Sequence, residues 1–385
     1  MTTSILLFLA GLVTLIIGAD VLVRGASRLA AAFGISPLVI GLTIVAVGTA
    51  SPEIAVSLQA AAAGQGDLTL GNVLGSNIFN ILFILGVTSI VAPIVIAKQL
   101  IRKDAPIMVG ISIITFLLAM DGNLGVIDGL LLLFGLVAYL AFALKQSREE
   151  SRSVQREYAK EFAPKEPITG RSMFINIVFI VSGLGLLVLG SDWLVESAVQ
   201  IAEALGVSHL VIGLTIVAVG TSLPEVATSV IAALKKESDI AVGNAVGSNI
   251  FNLLGVLGVG ALLAPEGVSV AQRVLNFDLL VMVFVALVTM PVFYLDNRIS
   301  RLEGGLLLSY YVIYVTYVIM RAGGSPAMTT MQWFVAIFVP ITFSLLVFLA
   351  LKSARRKRKG YKQRTDLESQ HHSATQEIHP PADRR

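Results

Sequence analysis

Long apolar runs, each near or above about 18 residues, alternate with short polar connections from one end of the chain to the other. Eleven candidate spans begin near residues 4, 38, 68, 104, 124, 172, 208, 240, 276, 302 and 331. The pattern predicts an all-α polytopic membrane protein, because helices satisfy their own backbone groups in lipid. A charged stretch, "KQSREESRSVQREYAKEFAPKEPITGR", separates the fifth span from the sixth. Its length, about 27 residues, is too short for an independent domain. From Lys352 the chain turns basic ("KSARRKRKGYK") and then polar, which predicts a disordered tail.

One phrase occurs twice. "GLTIVAVGTASPE" runs from Gly41 to Glu53 and "GLTIVAVGTSLPE" from Gly213 to Glu225. Residues 34–86 align with 206–258 at a constant offset of 172, with 32 identities in 53 positions. The register extends back to place Asp20 over Asp192. The expected organisation is therefore a first five-helix repeat (1–145), a cytoplasmic linker (146–171), a second five-helix repeat (172–321), an extra transmembrane helix (331–351) and a basic tail (352–385). Five is odd, so the second repeat enters the membrane from the opposite side. Inverted-topology repeats are a transporter architecture, with binding near the midplane where the repeats meet.

Composition agrees: the chain is 55% hydrophobic and 14% charged, against about 25% charged for soluble domains. There is no cysteine, which excludes disulfides and thiolate metal sites. The net charge of +3 sits in loops and tail and gives no nucleic-acid footprint. The first basic residue is Arg24, so the opening run is expected to be a retained first helix rather than a cleaved signal. With the N-terminus outside, the inner connections hold Arg24, Arg28, Lys98, Arg102, Lys103, Lys145, the six basic residues of the linker, Lys235, Lys236, Arg298, Arg301 and the tail, while the outer ones hold only Arg273 and Arg321. The positive-inside rule selects this orientation, with the C-terminus cytoplasmic.

The doubled phrase carries the chemistry. Glu53 and Glu225 fall near the middle of their spans, where a carboxylate costs about 2.5–3.5 kcal/mol on insertion scales. No span carries a basic residue at its centre, so a bound cation is the simplest compensator. Thr49 and Thr221 stand four residues before the acids, on the same helix face. Pro52 and Pro224 lack an N–H and clash with the carbonyls of Gly48 and Gly220, which predicts a break with freed backbone oxygens. In "GNVLGSNIFN" and "GNAVGSNIFN", Ser76 with Asn80 and Ser248 with Asn252 again share helix faces. Carboxylate, hydroxyl, amide and carbonyl oxygens form a hard-cation ligand set. Gly71, Gly75, Gly243 and Gly247 form small-residue faces for close helix approach.

These motifs closely resemble the two α-repeats of the sodium/calcium exchanger branch of the calcium/cation antiporters, in particular its prokaryotic members, over about residues 1–321. The resemblance implies two inverted five-helix halves with four ion positions between the second, third, seventh and eighth helices. It implies a calcium position at Glu53, Glu225, Thr49 and Thr221. It implies sodium positions involving Ser76, Ser222, Ser248 and the carbonyls of Ala46 and Ala218, with Asn80 and Asn252 lining the centre. The first and sixth helices would slide against this core. The activity implied is exchange of Na+ for Ca2+, typically three for one, extruding Ca2+ across a prokaryotic plasma membrane; these ions are substrates, and no cofactor is expected. Ala50 stands where the second half has Ser222, so one hydroxyl is missing. Asn252 replaces the aspartate of potassium-dependent members and argues against potassium transport. The linker lacks room for the calcium-sensing domains of animal exchangers.

Proton/calcium antiport and a passive cation channel are the alternative functions. Two protons neutralise the acidic pair as two Na+ do, so protons are expected to compete with calcium. An enzyme is not expected: His209 stands at a span start, His371, His372 and His379 lie in the tail, and no catalytic constellation forms. Asp20 is expected to pair with Arg24, and the basic tail to fix topology or meet anionic lipid.

Overall fold

A computed structural model describes residues 2–33, 35–149, 170–204, 218–323 and 325–378. Helices α1 (Thr2–Phe33), α2 (Pro37–Thr49), α3 (Ser51–Ala62), α4 (Gly66–Val91), α5 (Leu100–Asp121) and α6 (Val126–Glu149) make the first half. Helices α7 (Gly170–Ala204), α8 (Leu223–Leu234), α9 (Ser238–Leu263), α10 (Val274–Tyr294) and α11 (Arg301–Ala322) make the second, and α12 (Met328–Ile378) follows. Among the described residues nine helices are long and apolar enough to cross a membrane, or ten if the bent pair α2–α3 is one span. Of the span expected from residue 208, only the turn Ala218–Gly220 and α8 lie within the described residues. His209 and most of the linker lie outside them.

Helices α4 and α9 form the centre, each with 78% of its apolar stretch buried, against 28% for α1 and α7 and 11% for α12. Small residues explain the close approach. Ideal Cβ atoms on Gly243 and Gly247 would lie within 3 Å of the α2 backbone at Leu38 and Leu42. A second glycine stripe joins α1 to α7: Gly11 and Gly18 meet the backbone of Leu194 and Leu187, and Gly183 and Gly190 meet that of Leu22 and Leu15. At seven-residue spacing these glycines stay on one helix face. The ends of this pair are tied by Ser4 donating to Gln200 Oε1 (2.9 Å) and by Arg28 over the Phe179 ring.

Two short antiparallel ladders lock the repeats together. β1 (Ile94–Val95) pairs with β4 (Arg298–Ile299), and β2 (Asn123–Leu124) pairs with β3 (Val268–Ser269). Each ladder joins one half to the other, so the loops near 94 and 298 share one face and those near 123 and 268 share another. Asp20 pairs with Arg24 at 2.7 Å, as expected, and also with Lys235 at 2.6 Å, joining α1 to α8.

The extra helix α12 packs on α10 and α11: Tyr310 and Thr342 hydroxyls share a 2.6 Å hydrogen bond, and Phe343 meets Phe284 at 5.3 Å. It runs on to Ile378, where disorder was expected from residue 352. Residues 352–378 are mostly Lys, Arg, Gln, Glu and other residues compatible with helix, with one glycine and no proline, so local propensity carries the helix onward.

Candidate cation-binding site

The chain breaks where Pro52 predicts. Helices α2 and α3 meet at 55°, with Ala50 at the corner and Pro52 in the first turn of α3. Pro224 sits likewise in the first turn of α8. The carbonyls opposite the prolines are not left free, as the sequence suggested. Gly48 O accepts the Ser51 hydroxyl at 2.6 Å, and Gly220 O accepts that of Ser191 at 2.7 Å. A hydroxyl one turn or one helix away replaces the missing N–H.

Both acids stand in the first turn of a half-helix, where unpaired N–H groups and the macrodipole favour an anion. The sequence reading omitted this compensation. Glu53 is 2% and Glu225 1% exposed. Ser222 crosses from the second repeat to donate to Glu53 Oε1 at 2.6 Å. Ser222 stands three residues before Glu225, so its bond to Glu53 brings the two acidic half-helices together. Ala50, buried at the position matching Ser222, has no hydroxyl to offer in return.

Thr49 reaches Asn244 Oδ1 at 3.0 Å and also hydrogen-bonds Glu225, so its one proton serves two acceptors and its oxygen keeps its lone pairs. Its oxygen and that of Ser248 each lie 3.4 Å from the Ala46 carbonyl, so those three predicted residues converge. Ser76 is buried on α4. Ala218 heads the turn Ala218–Gly220, and its side chain lies outside the description.

Two pairs of asparagines absent from the predicted set arrange the rest. Asn77 and Asn249 donate to each other's backbone carbonyl, at 3.4 and 3.1 Å. A carbonyl only accepts, so each amide must point its nitrogen there and its Oδ1 away. Asn77 Oδ1 then accepts from Asn252 Nδ2 at 3.2 Å, and Asn249 Oδ1 from Asn80 Nδ2 at 3.0 Å. Both nitrogens are thus turned aside, and the Oδ1 atoms of Asn80 and Asn252 face the other way. A single π-helical turn begins at each of these residues, Asn80–Ile84 and Asn252–Val256, a distortion common at functional sites. Asn72 and Asn244 brace the acidic helices, reaching the carbonyls of Glu53 (3.2 Å) and Glu225 (3.4 Å) and the hydroxyls of Ser57 (2.8 Å) and Ser229 (3.1 Å). The signal was available: all four asparagines recur at the offset of 172.

Five buried oxygens of this cluster have no hydrogen-bond partner: Glu53 Oε2, Glu225 Oε2, Asn80 Oδ1, Asn252 Oδ1 and Thr221 Oγ1. Unpaired buried acceptors are expensive. All five are carboxylate, amide or hydroxyl oxygens on repeat-matched residues, the donor type that an oxygen-seeking cation takes. No group of three or more His, Cys, Asp or Glu occurs among the described residues, so the negative charge is that of two acids amid neutral oxygens.

The family described as sodium/calcium exchanger protein matches residues 3–145 and 175–320. The chain is 40% identical over 261 residues to inner membrane protein YrbG of Escherichia coli, covering 67% of this chain and 79% of that one. It is 32% identical over 344 residues to sodium/calcium exchanger MaX1 of Methanosarcina acetivorans, covering 82% and 98%. Among solved structures, the sodium-calcium exchanger NCX_Mj soaked with 10 mM Na+ superposes with a TM-score of 0.70 at 32% identity, covering 81% of this chain and 98% of the other.

Proposed function

The chain belongs to the sodium/calcium exchanger family, and from that premise we propose that it couples inward Na+ movement to outward Ca2+ movement by alternating access. It is an integral membrane transporter of the cation/Ca2+ antiport type. The observation that carries the finer reading is the set of five partnerless buried oxygens on repeat-matched residues.

In this reading Ca2+ sits between the carboxylates of Glu53 and Glu225, with the hydroxyl oxygens of Thr49 and Thr221. Asn80 and Asn252 complete the centre with their Oδ1 atoms. Na+ takes flanking positions, one of them formed by Ser248 and the Ala46 carbonyl, the others involving Ser76, Ser222 and the Ala218 carbonyl. The centre carries about two negative charges when both acids ionise. One Ca2+ or two Na+ neutralise it, so either loaded form can cross the membrane barrier while the empty, charged form does not. That inequality enforces exchange instead of leak. A third Na+ makes the cycle electrogenic, and one net charge contributes about 2.3 kcal/mol per 100 mV. The N-terminus lies outside and the C-terminus in the cytoplasm. The β1–β4 ladder, joining the loops of Lys98 and Arg298, supports this by gathering basic connections on one face.

The test is Na+-driven 45Ca2+ uptake into reconstituted vesicles. Glu53→Gln and Glu225→Gln each keep size and remove charge, and each is expected to abolish uptake. Undiminished uptake in both variants rejects the site. Uptake driven by a proton gradient without Na+ assigns the coupling to protons, and non-saturating flux without a counter-ion assigns a channel.

A further inference from the structure

Helices α5 and α6 leave a groove between them that the ion site does not use. Its volume is about 480 Å3, and its lining includes Ile107, Ile111, Leu131, Gly135, Phe142 and Tyr139, whose hydroxyl turns to the buried Asp104 at 3.5 Å. That volume suits one ligand of the size small-molecule pockets hold. The lining side chains recur every three or four residues on both helices, so the groove runs along the helix axes through membrane depth.

Its two ends differ. Following the same stripes one turn beyond the apolar lining leads to Lys103 on α5, four residues before Ile107, and to Lys145 and Gln146 on α6, three and four residues after Phe142. Lys103 hydrogen-bonds Gln146 and lies 5.7 Å from the centre of the Phe142 ring, which lines the groove. Lys145 and Arg102, adjacent in sequence to Gln146 and Lys103, are exposed. None of these three cations makes an ion pair among the described residues. At the floor, Leu254 lines the groove beside Gly135, where an added Cβ would lie 3.3 Å from it; Leu254 belongs to the π-helical turn that begins at site residue Asn252.

We propose that this groove binds one anionic phospholipid of the leaflet on the Lys103 face. Its phosphate lies between Lys103 and Lys145, and an acyl chain runs down the groove to Leu254. Charge complementarity at one end only, joined to an apolar channel at bilayer depth, fits a lipid with a charged head and a long tail. The site is separate from the cation centre but touches the turn that positions Asn252.

The probe is dioleoyl phosphatidylglycerol, mixed with dioleoyl phosphatidylcholine in vesicles holding the full-length protein. Native mass spectrometry after detergent extraction counts the lipids that remain bound. The wild type is expected to retain one phosphatidylglycerol in preference to phosphatidylcholine. Lys103→Gln with Lys145→Gln is expected to weaken that retention at least tenfold, and Gly135→Phe, which fills the groove, to remove it. A Lys352→Gln control, on α12 away from the groove, should leave retention unchanged and show that net charge alone is not the cause. Equal retention in the wild type and the double lysine variant overturns the proposal, as does equal retention of the neutral lipid. So does a second copy of the chain in place of lipid, seen as a dimer that Gly135→Phe dissociates. If Gly135→Phe fails to fold, the lysine pair alone decides the outcome.

Discussion

Asn77 and Asn249 stand behind the proposed ion ligands and orient them. Each uses its nitrogen on the opposite backbone carbonyl and its oxygen on the neighbouring Asn252 or Asn80. With Asn77→Ala, the Asn252 nitrogen loses its acceptor and the amide is free to turn. By analogy with groups that orient metal ligands, the Ca2+ concentration for half-maximal uptake should rise on the order of tenfold. An unchanged Ca2+ dependence would show that these asparagines only pack. Ala50 supplies a test of opposite sign. Ser222 donates to Glu53 across the repeat boundary, and the symmetric partner for Glu225 is absent because residue 50 lacks a hydroxyl. Ala50→Ser restores that oxygen at a buried position. It is expected to lower the Na+ concentration needed for half-maximal exchange, read from the Na+ dependence of 45Ca2+ flux. A Na+ dependence that stays put would mean that the missing hydroxyl takes no part in Na+ binding.

The elements are held by close approach as much as by apolar burial, and the α1–α7 seam shows it. A Cβ on Gly18 would meet Leu187 N at 2.8 Å and Gly183 O at 3.0 Å, both backbone atoms that cannot move aside. Gly185, on the same helix as Gly183, has nothing within 4 Å of its would-be Cβ. Gly18→Val should therefore destabilise the protein by about 1–3 kcal/mol through overpacking, whereas Gly185→Ala should be neutral or stabilise it by up to about 1 kcal/mol through helix propensity. Thermal unfolding of both variants in the same detergent makes the comparison. Equal effects would mean that the seam is loosely packed. Much of this architecture was legible from the chain. The doubled phrase gave the inverted halves, and the prolines gave the break between α2 and α3. The side of each helix that faces protein was harder to read, because lipid and a protein interior accept the same apolar side chains. Small residues such as Gly18 and Gly183 were the remaining guide. The π-helical turns at Asn80 and Asn252 were illegible, since a single widened turn leaves no periodic trace. The fate of the Gly48 carbonyl was hidden for a similar reason: Ser51 looks like any polar residue until its hydroxyl is seen on that oxygen.

At the scale of the molecule the helices divide into two bodies. Helices α4 and α9 are mostly buried and carry the asparagine network, with the acidic α3 and α8 braced against them by Asn72 and Asn244. Helices α1 and α7 run antiparallel against each other along their glycine seam, tied at both ends, and lie outside this core. In the proposed alternating access, continuous backbone contact within the pair makes it the unit expected to shift as a whole. Movement of that unit must change what it touches on the core, including the ion pair of Asp20 on α1 with Lys235 at the end of α8. Because the chain has no cysteine, engineered cysteine pairs test this without background. Ser4→Cys with Gln200→Cys, joined by a short thiol crosslinker, staples α1 to α7 and should leave Na+-driven Ca2+ uptake intact. Asp20→Cys with Lys235→Cys, joined in the same way, staples the pair to the core and should arrest uptake until the link is cleaved. Arrest by both staples would mean that α1 and α7 move relative to each other. Arrest by neither would mean that access alternates within the core while the outer pair stays still.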